Sequence, residues 1–271
     1  MTQELAEEQD APGAREAGRT RLPGGVKAVA FDCFGTLMDI GDEHFIDAMG
    51  SICLQYELGI DGKALFERWL AMNKEVWRDW GRDPDRPTEG QEPRFGTYDE
   101  LWTEQFSRTF KALALSGDAA GAHRLVVERL CNATAFPEVS EVLARLGRRY
   151  RLCLLSNADE AWLRPCLQRA GIEAAFELVV SSESARAYKP RAKIFQATAA
   201  LLGLAPGEVL YVGDSPYADV QGARNAGLPV VWLNRYAAQL PEKIAPPDLE
   251  ISDLRGLLPA LLDASRDTVA G

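Results

Sequence analysis

Five short apolar runs, each too short to stand as a core helix, recur along this 271-residue chain and are separated by segments of helical spacing. They are Val26–Phe31, Leu152–Leu155, Leu178–Val180, Val209–Val212 and Pro229–Leu233. Runs of this length, rich in β-branched residues, read as buried strands. The intervening patterns place Val139, Val142, Leu143 and Leu146 on one helix face, Leu163, Leu167 and Ala170 on a second, and Ile194, Phe195, Ala199 and Leu202 on a third. A short helix over 219–226 would end at Gly227, a natural residue for a left-handed helix terminus. Strands alternating with helices predict an α/β fold with a parallel sheet covered on both faces. Ligands of such sheets bind beyond the carboxyl ends of the strands. Asp32, Ser156 and Asp214 each follow an apolar run directly, so the pattern sends all three to that edge.

The alternation breaks between Asp39 and Phe136. Phe45, Met49, Ile52 and Cys53 suggest one helix, Leu65, Trp69, Met72, Val76 and Trp80 another, and Leu101, Phe106, Phe110 and Leu113 a third. We read this segment as a helical cap inserted after the first strand, its aromatic stripes forming its own core. A polar stretch with proline, 81–96, interrupts it as a lid or a solvent-facing loop. The expected organisation is a disordered tail over 1–25, an α/β core from 26–38 plus 137–271, and a cap over 39–136.

The charge balance narrows the partners. Forty acidic residues against thirty basic give a formal charge of −10, which argues against broad binding along a nucleic-acid backbone. It leaves room for a small anionic substrate at a locally positive site. No run of about 20 apolar residues is present, so no membrane helix is expected. The first 25 residues lack the apolar centre of a signal peptide. Five scattered cysteines without CxxC spacing read as free thiols, in keeping with a reducing cytoplasm, and Cys33, Cys153 and Cys166, in or beside apolar runs, as small hydrophobes. The pattern carries no indication of oligomeric state.

Four motifs carry the chemistry. In Phe31-Asp32-Cys33-Phe34-Gly35-Thr36, a carboxylate sits at a strand end, where burial is costly unless it is used; there it can serve as a covalent nucleophile. By itself it could also cap the next segment. In Ser156-Asn157, a hydroxyl and the following amides at a strand-to-helix turn can cradle an anion or simply cap the helix. In Tyr188-Lys189-Pro190, the ammonium can neutralise a nucleophilic carboxylate and an oxyanion, although most lysines are solvated surface charges. In Gly213-Asp214-Ser215-Pro216-Tyr217-Ala218-Asp219, two carboxylates after a strand suit a hard cation, best Mg²⁺. Asp214 is the expected direct ligand and Asp219 a direct or indirect one.

In this order, the motifs make the chain, from about Val26 to Leu257, resemble the haloacid dehalogenase (HAD) superfamily of hydrolases. The resemblance implies a Rossmann-like parallel sheet core with a C1-type helical cap. It implies that Asp32 attacks the substrate to form an aspartyl intermediate, and that Ser156 and Lys189, with Asn157 and Thr36, bind the transferring group. It further implies that Asp32, Asp214, Asp219 and the main-chain carbonyl of Phe34 surround Mg²⁺.

One position departs from the phosphatases of that family. Two residues after the nucleophile they carry a second aspartate, which protonates the leaving group; here it is Phe34, and a general acid is worth roughly 10²–10⁴-fold. In this the motif resembles the 2-haloacid dehalogenase branch, whose halide leaves without a proton and whose chemistry needs no metal. Asp214 points the other way, because clustered carboxylates repel without a cation. The expectation is a Mg²⁺-dependent, phosphatase-like hydrolase of a small phosphorylated metabolite. A metal-independent 2-haloacid dehalogenase and a weakly catalytic binding or regulatory protein are the alternatives. Asp39, Asp42, Glu43 and His44 near the cap hinge are candidate replacement acids. Lys74, Arg78, Arg82 and Arg94 of the cap could meet an anion but read more simply as solvated charge, and His123 reads as structural.

Overall fold

The computed structural model describes residues 22–80 and 95–263. The sequence-based readings of residues 1–21, of most of the 81–96 loop, and of Arg82 and Arg94 lie outside the described residues.

All five apolar runs form strands: β1 (Ala28–Phe31), β2 (Arg151–Ser156), β3 (Leu178–Ser181), β4 (Val209–Gly213) and β5 (Val230–Leu233). A sixth strand, β6 (Leu249–Ile251), joins the edge. The order is β3-β2-β1-β4-β5-β6, and every pair is parallel. β1 lies between β2 and β4, with Phe31 level with Leu154 on one side and Val212 on the other.

The strands are buried on both faces, and their side chains alternate between two apolar clusters. Val29, Phe31, Leu152, Leu154, Leu210 and Val212 enter one cluster. Ala28, Ala30, Cys153, Leu155, Val209 and Tyr211 enter the other. The helices lie in chain order as α1 (Asp42–Gln55), α2 (Gly62–Asp79), α3 (Tyr98–Ala112), α4 (Ala119–Leu130), α5 (Val139–Leu146), α6 (Glu160–Arg169), α7 (Ser182–Ala185), α8 (Ala192–Leu201) and α9 (Gly222–Asn225). α5 and α6 cover the first face and α8 the second. Where a plain short helix was expected over 219–226, a π-type turn, Pro216–Gln221, runs into α9. Gly227 follows with φ +82°, the left-handed conformation that ends a helix.

Helices α1–α4 intervene between β1 and β2 and bury a third apolar cluster of their own, around Met49, Ile52, Leu65, Trp69 and Phe106. The aromatic stripes are thus cap core. Among the described residues no helix is long and apolar enough to cross a membrane.

Candidate active site

β1 ends at Phe31, so Asp32 emerges at the carboxyl edge of the central strand; its N–H donates to Val212 O at 2.9 Å. Ser156 is the buried last residue of β2, and Asp214 follows the last residue of β4. The chain then turns at Gly35, whose φ of +84° suits glycine. A Cβ there would lie 2.6 Å from an Asp214 carboxylate oxygen, so the turn also demands a missing side chain. Thr36, fully buried, donates from its hydroxyl to Asp214 Oδ1 at 3.0 Å.

Lys189 joins the two ends of the site. Its Nζ donates to Asp32 Oδ1 at 2.5 Å, to Asp219 Oδ1 at 2.7 Å and to the Tyr211 hydroxyl at 3.0 Å. An ammonium has three protons, and these three acceptors account for all of them. The Asn157 side chain fixes the lysine's backbone: its Oδ1 accepts from Lys189 N at 2.8 Å and its Nδ2 donates to Lys189 O at 3.2 Å. The Lys189–Pro190 peptide is cis. Both oxygens of fully buried Asp219 are engaged, Oδ1 by Lys189 and Tyr211 and Oδ2 by Ser215 N at 2.9 Å.

Carboxylate oxygens of Asp32, Asp214 and Asp219 lie within 4.8 Å of one another. Burial pushes the Asp32 carboxyl up to about 6; Lys189 pulls it back and Asp219 adds to the rise. Burial, followed by repulsion from Asp32 and Asp219, pushes Asp214 up to about 7. Burial opposes the Lys189 charge, yet the Asp219 and Asp32 carboxylates overcome it and hold the ammonium well above the ordinary lysine value. Three clustered carboxylates beside one ammonium, which bonds Asp32 and Asp219, lack positive charge, and such a cluster suits a divalent cation with oxygen ligands. Asp214, part-exposed and with Oδ2 uncommitted by Thr36, is the side chain best placed to hold one.

Around this cluster, Phe34 stacks on Trp162 of α6, with ring centroids 5.1 Å apart. Trp162 stacks in turn on Trp102 of α3 at 6.0 Å, and Tyr98 meets Tyr188 at 5.4 Å. Polar contacts also tie cap to core. Asp159, after β2, accepts from the Tyr98 and Asp99 amides at the start of α3, each at 2.8 Å, and Tyr188 donates its hydroxyl to Gly96 O.

The eight residues singled out from the sequence fall at or beside the carboxyl edge. Two have side chains spent differently from expectation, Thr36 on Asp214 and Asn157 on the Lys189 main chain, while Asp219, expected as a direct or indirect ligand, bonds Lys189. His44 is committed at the start of α1, where Nδ1 accepts from Gly41 N at 3.2 Å. Lys74 and Arg78 are exposed on α2. Sequence reasoning missed Tyr211, whose hydroxyl lies at 3.0 Å from both Lys189 and Asp219, and Trp232, whose Nε1 donates to Asp214 O at 2.8 Å.

Known proteins bear on this arrangement. The family model for haloacid dehalogenase-like hydrolase matches residues 26–227. Haloacetate dehalogenase H-2 of Moraxella sp. is 31% identical over 228 residues, covering 83% of this chain and 93% of the relative. Phosphoserine phosphatase of Thermus thermophilus is 39% identical over 122 residues, 44% of this chain and 48% of its own. Among solved structures, the Bacillus subtilis HAD-hydrolase YfnB, solved bound to magnesium, superposes with a TM-score of 0.70 at 20% identity, covering 88% of this chain and 99% of that one. At that identity the likeness shows the fold.

Proposed function

Because the chain belongs to the haloacid dehalogenase-like hydrolases, we propose that it is a Mg²⁺-dependent hydrolase that cleaves a small phosphorylated metabolite through an aspartyl phosphate on Asp32. The observation that carries this reading is the carboxylate cluster: oxygens of Asp32, Asp214 and Asp219 lie within 4.8 Å of one another, and the Lys189 ammonium bonds Asp32 and Asp219 but leaves Asp214 without a cation. Asp32 Oδ2, the oxygen not held by Lys189, attacks the phosphorus; the leaving group departs with the bonding electrons, and water then hydrolyses the aspartyl phosphate to free phosphate and the Asp32 carboxylate. Asp32 and Asp214, with the Phe34 carbonyl, would hold Mg²⁺, which when bound supplies charge stabilisation for the transferring oxygens. Asp219 acts one step away, anchoring Lys189. Lys189 holds Asp32 ionised, Asn157 positions Lys189, Thr36 orients Asp214, and Ser156 receives the substrate at the end of β2.

Phe34 cannot give a proton, so the substrate class is one whose leaving group is stable as an anion, such as an acyl phosphate or a phosphoanhydride. The substrate in this reading is a small anionic molecule of the cytoplasm, its charge met by Lys189 and Mg²⁺; the formal charge of −10 argues against a nucleic-acid partner, and no membrane partner is involved.

A second reading, metal-independent 2-haloacid dehalogenation, is favoured by Phe34 and by the nearly full-length likeness to a haloacetate dehalogenase. There Asp32 would attack carbon and expel halide. A panel of acyl phosphates, phosphomonoesters, haloacetates and 2-chloropropionate, assayed with Mg²⁺ or EDTA, separates the two. Phosphate release abolished by EDTA is expected; halide release indifferent to EDTA overturns it in favour of the second reading.

A further inference from the structure

Outside the carboxylate–lysine cluster, one buried guanidinium has no part in the chemistry above. Arg235 follows the end of β5, at the same sheet edge as Asp214, and its side chain is 11% exposed. Its Nη2 donates to the main-chain oxygen of Thr36 at 3.0 Å, across 199 residues of chain. The same nitrogen lies 2.7 Å from Oε1 of Glu138, which is itself buried. The guanidinium carbon stands 3.6 Å from the centroid of the Phe136 ring, a cation–π contact.

As scaffolding alone, this pair has little to recommend it. A buried ion pair repays its desolvation only when its remaining donors and acceptors are also filled. Arg235 Nε and Glu138 Oε1 have no hydrogen-bond partner among the described residues, so their contact is charge against charge. The hydrogen bond that Arg235 does make goes to the turn after the nucleophile. That turn is closed by Leu37 N and Met38 N donating to Cys33 O, and by Gly35 N donating to Met38 O. None of these bonds uses the Thr36 oxygen. The Thr36 hydroxyl, in turn, donates to Asp214 Oδ1 at 3.0 Å, and a Cβ on Gly35 would strike the same carboxylate. Asp214 is therefore seated directly on the turn that Arg235 grips.

We propose that Arg235 is a positioning residue for the metal-binding carboxylate: anchored by Glu138 and Phe136, it holds the Thr36 carbonyl so that the Thr36 hydroxyl fixes Asp214 Oδ1 and leaves Oδ2 for a cation. The inference rests on the reading of Asp214 as a carboxylate that holds Mg²⁺. Glu138 answers the charge of the guanidinium, so Arg235 acts through geometry and not through its field. Groups that orient a metal ligand are worth about 10–100-fold in metal affinity. Arg235 lies one bond further out than Thr36, and its removal is expected to weaken Mg²⁺ binding by about 10-fold, at the low end of that range.

Mg²⁺ titrated into the full chain without substrate, followed by calorimetry, tests this. Arg235→Met is combined with Glu138→Gln, so that both charges go together and no lone buried carboxylate remains. Urea unfolding without Mg²⁺ reports the fold of each variant separately from its affinity. The expected result is the 10-fold weaker binding, with the same pair of substitutions adding nothing further in a Thr36→Val protein, which has already lost the link to Asp214. A merely structural role would lower stability and leave affinity untouched, or would add to Thr36→Val in full; either result overturns the proposal. If the Met/Gln protein does not fold, Arg235→Lys stands in: its ammonium still answers Glu138 but lacks the planar fork that reaches the Thr36 oxygen at the same time, and the same two outcomes decide. A wild-type protein that takes up no Mg²⁺ ends the functional reading and this inference with it. Wild-type binding matched by the variants ends this inference alone.

Discussion

Phe34 lies against Trp162, with ring planes inclined by 31° and centroids 5.1 Å apart. The residue two positions after Asp32 is therefore an aromatic packed against α6, at the position where a phosphatase of this family would place its proton donor. Phe34→Asp is expected to raise phosphomonoester turnover in Mg²⁺ by about 10²-fold while costing about 1–3 kcal/mol of stability through the lost packing. Phe34→Leu keeps an apolar side chain and should give no gain. Phosphate release from an alkyl phosphate, whose alkoxide needs a proton to leave, and urea unfolding read the two effects.

The Tyr211 hydroxyl touches both Lys189 and Asp219 at 3.0 Å, while its ring packs edge-on against Phe195 at 4.9 Å. Tyr211→Phe keeps the ring and removes only the hydroxyl. The expected result is a loss of kcat of about 10-fold with little change in KM, because the lysine that holds Asp32 loses one of its three acceptors. The stability cost is about 1 kcal/mol. A rise in KM at constant kcat would place the hydroxyl in substrate binding instead.

His123, buried on α4, has Nδ1 2.9 Å from Asp99 Oδ1 and its ring edge-on to Trp102. Burial lowers its pKa, Asp99 opposes that fall and Arg124 adds to it; Asp159, Glu128 and Arg169 also line the adjoining groove. The folded protein thus binds the proton less readily than the unfolded chain, whose histidine titrates near about 6.5. This contribution is complete above that value and is lost as pH falls through the folded pKa. Stability should drop between pH 7 and 5, by at most about 1.4 kcal/mol per pH unit from this residue. His123→Gln should flatten that part of the profile in urea titrations.

Asp159 reaches from the core to the Tyr98 and Asp99 amides. Asp159→Ala is expected to destabilise the protein by about 1–3 kcal/mol. It should also speed hydrogen exchange at those two amides by more than at amides within β1. Equal acceleration everywhere would mean global loosening and not a released helix end.

The sheet was legible because strands buried on both faces must be apolar throughout, and runs such as Val209–Val212 have no competing reading. β6 was not, since three residues with Glu250 at the centre carry no period. Asp32 and Asp214 were legible because a carboxylate directly after a buried run has few reasons to be there. Tyr211 was hidden by the same logic: a tyrosine inside an apolar strand looks like filling, and only the fold brings its hydroxyl to Lys189. The use of Thr36, Asn157 and Asp219 on neighbouring groups depends on contacts across 178, 32 and 30 residues of chain, respectively.

Asp159 stands on the sheet side of the molecule, yet the amides it satisfies open a helix of the lid. If that helix swings outward, two donors are stripped of their acceptor just as they meet water. Opening at this point would exchange two protein hydrogen bonds for two to water, while the Thr97–Glu100 capping box keeps the helix start intact. Part of the cost of admitting a reactant would then fall at residues 98 and 99, outside the carboxylate cluster itself.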